Sequence, residues 1–143
     1  MAISLAQVRA AVSSQINTVS GMHLSNLPPQ YFGRITDTIA HKAYAVDIAS
    51  YQAIPERQRL SVGIYIKTSI AIKFAYRLRP HDVYPIDYDS SYDLAQEVID
   101  AVLGDYDAIR QGLVGKFDSA SATIPNAISY IIHTLNFTFL HTI

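Results

Sequence analysis

The feature that most constrains this chain is an alternation of side chains from Val62 to Leu78, with apolar residues dominating one parity. Side chains alternate between the two faces of a β-strand, so the pattern predicts one strand spanning roughly 50 Å. A compact chain of 143 residues has a diameter of roughly 37 Å. We expect this strand to bend sharply or to project and pair with neighbouring subunits. Projection is favoured, because the strand contains no proline or Asn-Gly turn.

The composition also favours a subunit that is buried against neighbours. Half of the residues are apolar and only 16% are charged, with a net charge of −1. The near-neutral charge gives no general reason to expect nucleic-acid binding. The absence of cysteine excludes disulfides, thiol catalysis and cysteine metal clusters.

The N-terminal segment predicts a helix rather than a targeting signal. Ser4 and Gln7 have the spacing of a capping box, and Gly21 is a candidate C-cap. One helical stripe follows the cap, at Leu5, Val8, Val12, Ile16 and Val19. Because residues 1–19 are amphipathic and no long apolar run follows, we expect a soluble intracellular protein of one domain, residues 1–143.

Two consecutive strands should form an antiparallel hairpin. The first is predicted at residues 38–50, and a polar linker at residues 52–59 joins it to the long strand. The exposed tip of this hairpin would carry Arg57 and Arg59.

The second half of the chain predicts one further helix and one further strand. Pro80 and Pro85 should keep a tyrosine-rich acidic loop non-helical, and a helix should run from Asp89 or Ser90 to Gly104. Residues 106–113 could form a short third helix, whereas residues 114–125 are interpreted as a loop of small residues. The chain ends in a β run at residues 127–143, whose apolar parity changes midway through a bulge near His133 or a change of packing environment.

These elements together predict the α+β class, with a mostly antiparallel sheet, long projecting strands and two main helices packed on one face.

No motif for catalysis or cofactor binding is convincing. The Gly115-Lys116 pair lacks the rest of a phosphate-binding loop. Two of the histidines, His133 and His141, lie roughly 26 Å apart along one strand, too far to share a metal ion. A metal site built from His41 and one of these two histidines is a remaining alternative, although a histidine on a strand surface is the simpler interpretation. We therefore expect no enzyme, no cofactor and no metal site.

An acidic cluster leaves one alternative of another class open. Asp82, Asp87, Asp89 and Asp93 surround the start of the second helix. These carboxylates could serve a small metal- or ligand-binding domain. A solvated loop with helix capping is the simpler interpretation.

The central part of the sequence resembles the tail terminator (tail completion) proteins of long-tailed bacteriophages. The resemblance rests on a long strand that runs into Tyr76-Arg77-Leu78-Arg79-Pro80, followed after an acidic gap by Asp87-Tyr88-Asp89-Ser90-Ser91-Tyr92-Asp93 at the start of an amphipathic helix. The leading helix, the hairpin linker and the terminal β run occur in the same order in that family.

This resemblance implies a structural virion protein without catalysis or cofactor. It would form a hexameric ring at the head-proximal end of the tail, assembled in the host cytoplasm, that stops tube growth. Its partners would be its own copies, the tail tube protein and a neck protein, with DNA only passing through the lumen. A head-completion or stopper protein, or a tube subunit, is the alternative within the same class.

We expect the polar face of the long strand to contact the neighbouring subunit. Its side chains on that face include Tyr65, Lys67, Lys73 and Arg77. Solvated strand surface or salt bridges between subunits suit these residues better than nucleic-acid contact.

Overall fold

The computed structural model describes residues 3–25, 32, 40–54, 64–79, 84–104, 113–125 and 129–143. Within these residues the elements, in chain order, are α1 (Leu5–Ile16), β1 (His23–Leu24), β2 (Ala43–Ala53), β3 (Tyr65–Arg77), α2 (Tyr84–Gly104), β4 (Val114–Thr123) and β5 (Tyr130–Thr142). The strands form one sheet in the order β1-β2-β3-β5-β4. Only the short β1–β2 pair is parallel. The predicted α+β class with a mostly antiparallel sheet is confirmed.

Helix α1 starts at the predicted capping box. The Ser4 hydroxyl accepts the Gln7 N–H at 3.1 Å, and the Gln7 side chain accepts the Ser4 N–H at 2.8 Å. The helix ends at Ile16 with Asn17 as its C-cap, so the prediction of Gly21 in that role is wrong. Gly21 instead has a φ of 83° in the irregular segment after the helix, a conformation that suits glycine.

Both helices pack on the same face of the sheet, as predicted. The buried face of α1 includes Val8, Val12 and Ile16, and that of α2 includes Leu94 and Val98. They share one core with the facing sheet residues Tyr44, Val46, Ile70, Ile72, Phe74, Leu135, Phe137 and Phe139. The opposite face of the sheet, called the open face below, carries among the described residues a small cluster of Ala43, Ala75 and Ile132 with Phe32 and Tyr130 against it.

Helix α2 begins at Tyr84, five residues before the predicted Asp89, and ends at Gly104 as predicted. Pro85 does not prevent this earlier start. The first N–H groups of a helix have no intrahelical acceptor, so a proline in the first turn loses no hydrogen bond.

Strand β3 occupies the centre of the sheet. It pairs with β5 from Tyr65 to Arg77 and with β2 from Ile66 to Phe74. The expectation that this long strand has unpaired backbone groups to offer to another subunit is therefore wrong. Its length is accommodated by an equally long neighbour, β5, and by the predicted antiparallel hairpin with β2.

The parity change in the last strand is a change of packing environment and not a bulge. The β3–β5 register is continuous, and His133, Leu135 and Phe137 all face the helices. Ile132 belongs to the cluster on the open face. Register shifts occur in other strands, between Ile48 and Ser50 in β2, which pairs with β3, and between Phe117 and Ser119 in β4, which pairs with β5.

The prediction of a loop at residues 114–125 is wrong, because Val114–Thr123 form strand β4. The first strand lies at Ala43–Ala53 rather than at 38–50. The possible helix at 106–113 lies outside the described residues except for Leu113, which is buried and not helical. Among the described helices, none has the length and apolar character needed to span a membrane.

Candidate assembly surface

Two strands, β2 and β4, are unusually exposed. In β2 the first four residues are buried, whereas Ala49–Ala53 are exposed on both faces, and the Tyr51 side chain is 59% exposed. In β4 every residue except Phe117 and Ala122 is exposed. The most exposed strand segments are therefore found in β2 and β4 and not in β3.

In the part of the chain that the structure describes, the outer edge of β2 is covered at its start alone. Strand β1 pairs with Ala43 and Tyr44, and the Arg9 side chain donates to the Val46 carbonyl oxygen at 2.9 Å. From Asp47 to Ala53 no described strand lies beside this edge. That free edge extends about 23 Å at the rise of a strand.

Backbone hydrogen bonds reveal which β2 groups point outward. The Ile54 N–H donates to the Tyr65 carbonyl oxygen at 3.0 Å, so this pair is a hydrogen-bonded one. Bonded and non-bonded pairs alternate in an antiparallel ladder, and Tyr51 and Ala53 occupy the non-bonded positions. Their backbone N–H and C=O groups therefore point toward the free edge.

The same reasoning identifies the outward groups of β4. The Leu78 N–H donates to Ser129 at 2.8 Å and the Ile143 N–H donates to Ile64 at 2.9 Å, so the odd-numbered residues of β5 bond to β3. The even-numbered residues of β5 therefore bond to β4. Two of these residues, Asn136 and Thr134, pair with Ser119 and Ser121 of β4. The backbone N–H groups of the neighbouring Ala120 and Ala122 therefore point outward, away from β5.

The four predicted contact residues of β3 share one face. Tyr65, Lys67, Lys73 and Arg77 all lie on the open face, opposite the side that the helices cover. Lys67 and Arg77 are exposed, and Lys73 is half-buried between Ala45 and Thr134. As members of a central strand, these residues can contact another molecule only through their side chains.

Charged residues on the outer strands also lie on the open face. Asp47 is exposed on β2, and Lys116 on β4 has a side chain that is 76% exposed. The Lys116 Nζ lies 3.5 Å from an oxygen of Asp118, and Asp118 accepts a hydrogen bond from the Thr138 hydroxyl. Sequence reasoning missed this surface because β4 was interpreted as a loop. The available signal was weak, since Phe117 is the only large apolar side chain in its interior.

Arg57 and Arg59, predicted at the hairpin tip, lie outside the described residues. The antiparallel pairing of β2 with β3 continues as far as Ala53 and Ile66, which flank the linker in the sequence.

The acidic cluster is divided by the fold. Asp87 is buried and accepts hydrogen bonds from Arg79 on both carboxylate oxygens, so hydrogen bonding to Arg79 lowers its pKa to about 2. Asp89 and Asp93 are exposed on α2, and Asp82 lies outside the described residues. Among the described residues, no group of three or more potential ligands could hold a metal ion. Asp87 acts here as an anchor for the end of β3.

The described histidines have structural contacts. His133 Nε2 lies 3.0 Å from the Ser91 hydroxyl, and burial lowers the His133 pKa to about 4. His141 Nδ1 donates to the Ile3 carbonyl at 3.0 Å, and its Nε2 accepts from the Thr68 hydroxyl at 2.7 Å. These contacts link α2 and the N-terminal segment to the sheet.

A groove of about 420 Å³ lies between α2 and β4. Its walls include Tyr92 and Ile99 from the helix and Ala120 and Ala122 from the strand, with His133 at its base. Its polar lining residues include Gln96, Ser121 and His133.

The sequence matches no protein-family model, and no curated protein is significantly similar to it.

Proposed function

We propose that this protein is a structural subunit that assembles into a closed ring and acts as a phage tail terminator. The observation that carries the proposal is a pair of exposed strand edges, along Asp47–Ala53 of β2 and along β4, beside which no described strand lies. Exposed strand edges readily pair with other chains. A protein with two such edges therefore either pairs them in an assembly or has features that block their pairing.

The two edges differ from each other, and this favours a ring. Contacts between unlike surfaces are heterologous, and they generate a ring when the rotation between subunits closes. A contact between like edges would instead give a two-fold dimer.

The specific role in a phage tail is supported by the resemblance of the Tyr76–Asp93 region to tail terminators. In that role the ring would cap the head-proximal end of the tail tube and offer its other face to a neck protein. The ring would act sterically: one face binds the last layer of the tail tube, and the other face has no site at which a further tube subunit could bind. We expect no catalytic activity and no cofactor.

Electron microscopy of the purified protein in negative stain, combined with native mass spectrometry, tests this proposal. A terminator should form single rings of one mass, which do not lengthen when the protein concentration is raised. Tubes that grow with concentration would identify a tube subunit instead. A protein that remains monomeric throughout would contradict the ring.

Virions provide a second test, which separates a terminator from other neck proteins. A tagged copy should be located by immunogold labelling at the junction between tail tube and neck. Loss of the protein should give tails of uncontrolled length, whereas loss of a head-completion protein should leave tails of normal length.

A further inference from the structure

The groove between α2 and β4 has a mostly apolar lining. Tyr92, Ala95 and Ile99 line it from the helix, and Ala120 and Ala122 line it from the strand. Its volume of about 420 Å³ lies in the range of sites that bind small ligands or single large side chains. A groove of this size and lining suits a large apolar side chain from another molecule.

The base of the groove offers a hydrogen-bond acceptor. His133 is 2% exposed, and burial lowers its pKa to about 4, so its ring is neutral at pH 7. The Ser91 hydroxyl donates to the Tyr88 carbonyl oxygen at 2.7 Å, which assigns the proton between Ser91 and His133 to Nε2 of the imidazole. Nδ1 is then an acceptor, and it has no hydrogen-bond partner among the described residues. An N–H group on a ligand would satisfy it.

Tyr92 forms a wall of the groove that is ordered without any ligand. Its ring centroid lies 4.7 Å from that of His133 in an edge-to-face contact. Its hydroxyl lies 3.2 Å from the hydroxyl of Tyr88, one helical turn earlier. A wall that is already held in place loses little conformational entropy when a ligand binds.

The rim of the groove on α2 is acidic. Asp89, Asp93, Glu97 and Asp100 are all exposed, and α2 contains no lysine or arginine. Residues three or four positions apart are neighbours on a helix surface, so Asp93 and Asp100 lie beside the lining residue Gln96.

This row of carboxylates is not neutralised within the described part of the chain. The ion pairs there are formed by Asp87 and Asp118, and not by any of the four exposed acids of α2. Like charges four residues apart, such as Asp89 with Asp93 and Asp93 with Glu97, destabilise a helix. Basic side chains from a partner would relieve this repulsion.

We propose that the groove is a docking site for a segment of a partner protein in which a tryptophan is flanked by arginine or lysine. The indole ring would lie between Tyr92 and Ala120, with its N–H donated to Nδ1 of His133. The basic side chains would pair with Asp93 and Asp100. Tryptophan fits because it combines a large apolar ring with a single N–H donor, and the basic residues follow from charge complementarity.

This docking site goes beyond the proposed ring. It lies on the helix-bearing side of the sheet and does not use the outward N–H groups of β4. Peptide binding and ring formation can therefore be measured separately.

Tryptophan fluorescence tests the proposal directly, because the chain has no tryptophan of its own. The probe is the acetylated and amidated peptide Arg-Lys-Ala-Trp-Ala-Lys-Arg, titrated with the wild-type protein. Its indole emission should shift to shorter wavelength and saturate as the ring enters the groove. Added salt should weaken the binding, because it screens the exposed charges.

Two altered peptides test the chemistry on the unchanged protein. Replacement of the tryptophan by 1-methyltryptophan removes the N–H donor, and the affinity should fall about fivefold, as for the loss of one hydrogen bond. Replacement of all arginines and lysines by glutamate should abolish binding. Neither result depends on how a protein variant folds.

A matched pair of protein variants tests the position of the indole. Ala120→Leu fills the groove and should abolish binding of the peptide. Thr123→Leu is the control, because Thr123 pairs with Ile132 of the open-face cluster and lies on the other face of β4. It should bind the peptide as the wild type does. Circular dichroism checks that both variants are folded.

The acidic rim is tested by charge removal. The double variant D93N/D100N should bind the peptide about threefold more weakly at low salt, and its affinity should depend less on salt. Asp47→Asn is the control, since this exposed carboxylate lies on the open face. It should leave the affinity unchanged.

Four results would overturn the docking site. They are the absence of a saturable shift at millimolar peptide, undiminished binding by Ala120→Leu, equal binding of the glutamate peptide, and equal binding of the 1-methyltryptophan peptide. Loss of rings in Ala120→Leu without any peptide binding would also overturn it and would identify the groove as a contact between copies. Wild-type rings that bind no peptide leave the proposed function intact, whereas a monomeric wild type that binds the peptide contradicts the ring alone.

Discussion

The guanidinium of Arg79 holds both carboxylate oxygens of Asp87, with Nη2 at 2.8 Å from Oδ1 and Nε at 3.0 Å from Oδ2. The backbone N–H of Arg79 also donates to Oδ2, at 2.8 Å. This contact joins the segment after β3 to the first turn of α2. It explains how the chain reverses from the centre of the sheet onto its helical face.

Replacement of Asp87 should remove a pH-dependent contribution to stability. The folded pKa of Asp87 is lowered from 3.8 to about 2, so the stabilisation is present above pH 3.8 and is lost as the pH falls through about 2. Asp87→Asn should therefore unfold at lower urea concentration than the wild type at pH 7, and the difference should shrink between pH 4 and pH 2. The exposed Asp93→Asn variant is the control, and an equal loss in that variant would contradict the role of the ion pair.

Protonation of His133 should oppose folding in mildly acidic solution. Burial lowers its pKa from 6.5 to about 4, so between these values the unfolded chain binds a proton that the folded chain does not. The free energy of unfolding should therefore fall as the pH drops from 6.5 to 4, and His133→Gln should flatten this slope. An NMR titration of the imidazole with a midpoint near 6.5 would contradict the prediction.

Variants of two aromatic residues should separate an effect on folding stability from an effect on assembly. Phe137 is fully buried, with its ring centroid 5.4 Å from that of Phe117, so Phe137→Ala should cost about 3–5 kcal/mol in free energy of unfolding. Tyr51 is exposed on the free edge of β2, and Tyr51→Ala should leave monomer stability unchanged while it weakens the ring. Urea denaturation and sedimentation measure the two effects separately.

Gly115 is required by a close approach of strand β4 to a core ring. A Cβ at this position would lie 2.7 Å from Cε1 of Phe139, and the buried ring has little space to move. Gly115→Ala should destabilise the fold by about 1–3 kcal/mol. Gly104→Ala is the matched control, because no atom lies within 4 Å of its added Cβ and the change should be neutral or slightly stabilising. Thermal unfolding of both variants provides the comparison.

Local patterns in the sequence predicted several elements correctly. The capping box at Ser4 and Gln7 and the stripe of Val8 and Val12 identified α1, because both depend on residues within one or two helical turns. The alternation around β3 identified a strand for the same reason. The hydrophobic face of α2 was also clear, although its start at Tyr84 was missed because Pro85 was treated as a helix breaker.

The candidate site was only partly predictable. Lys67, Lys73 and Arg77 were correctly expected on one face of β3, since parity alone determines that. Their expected place beside a free strand edge was wrong, because the distant β5 occupies that edge. β4 was missed because a strand exposed on both faces needs no hydrophobic alternation.

The sequence by itself determined the periodicity of α1, β3 and β5, because helix and strand faces follow from spacing along the chain. Only the tertiary structure decided which strands are central and which are at the edges. That choice depends on pairing between residues far apart in the sequence, such as Thr68 with Phe139, whose energies no local pattern contains.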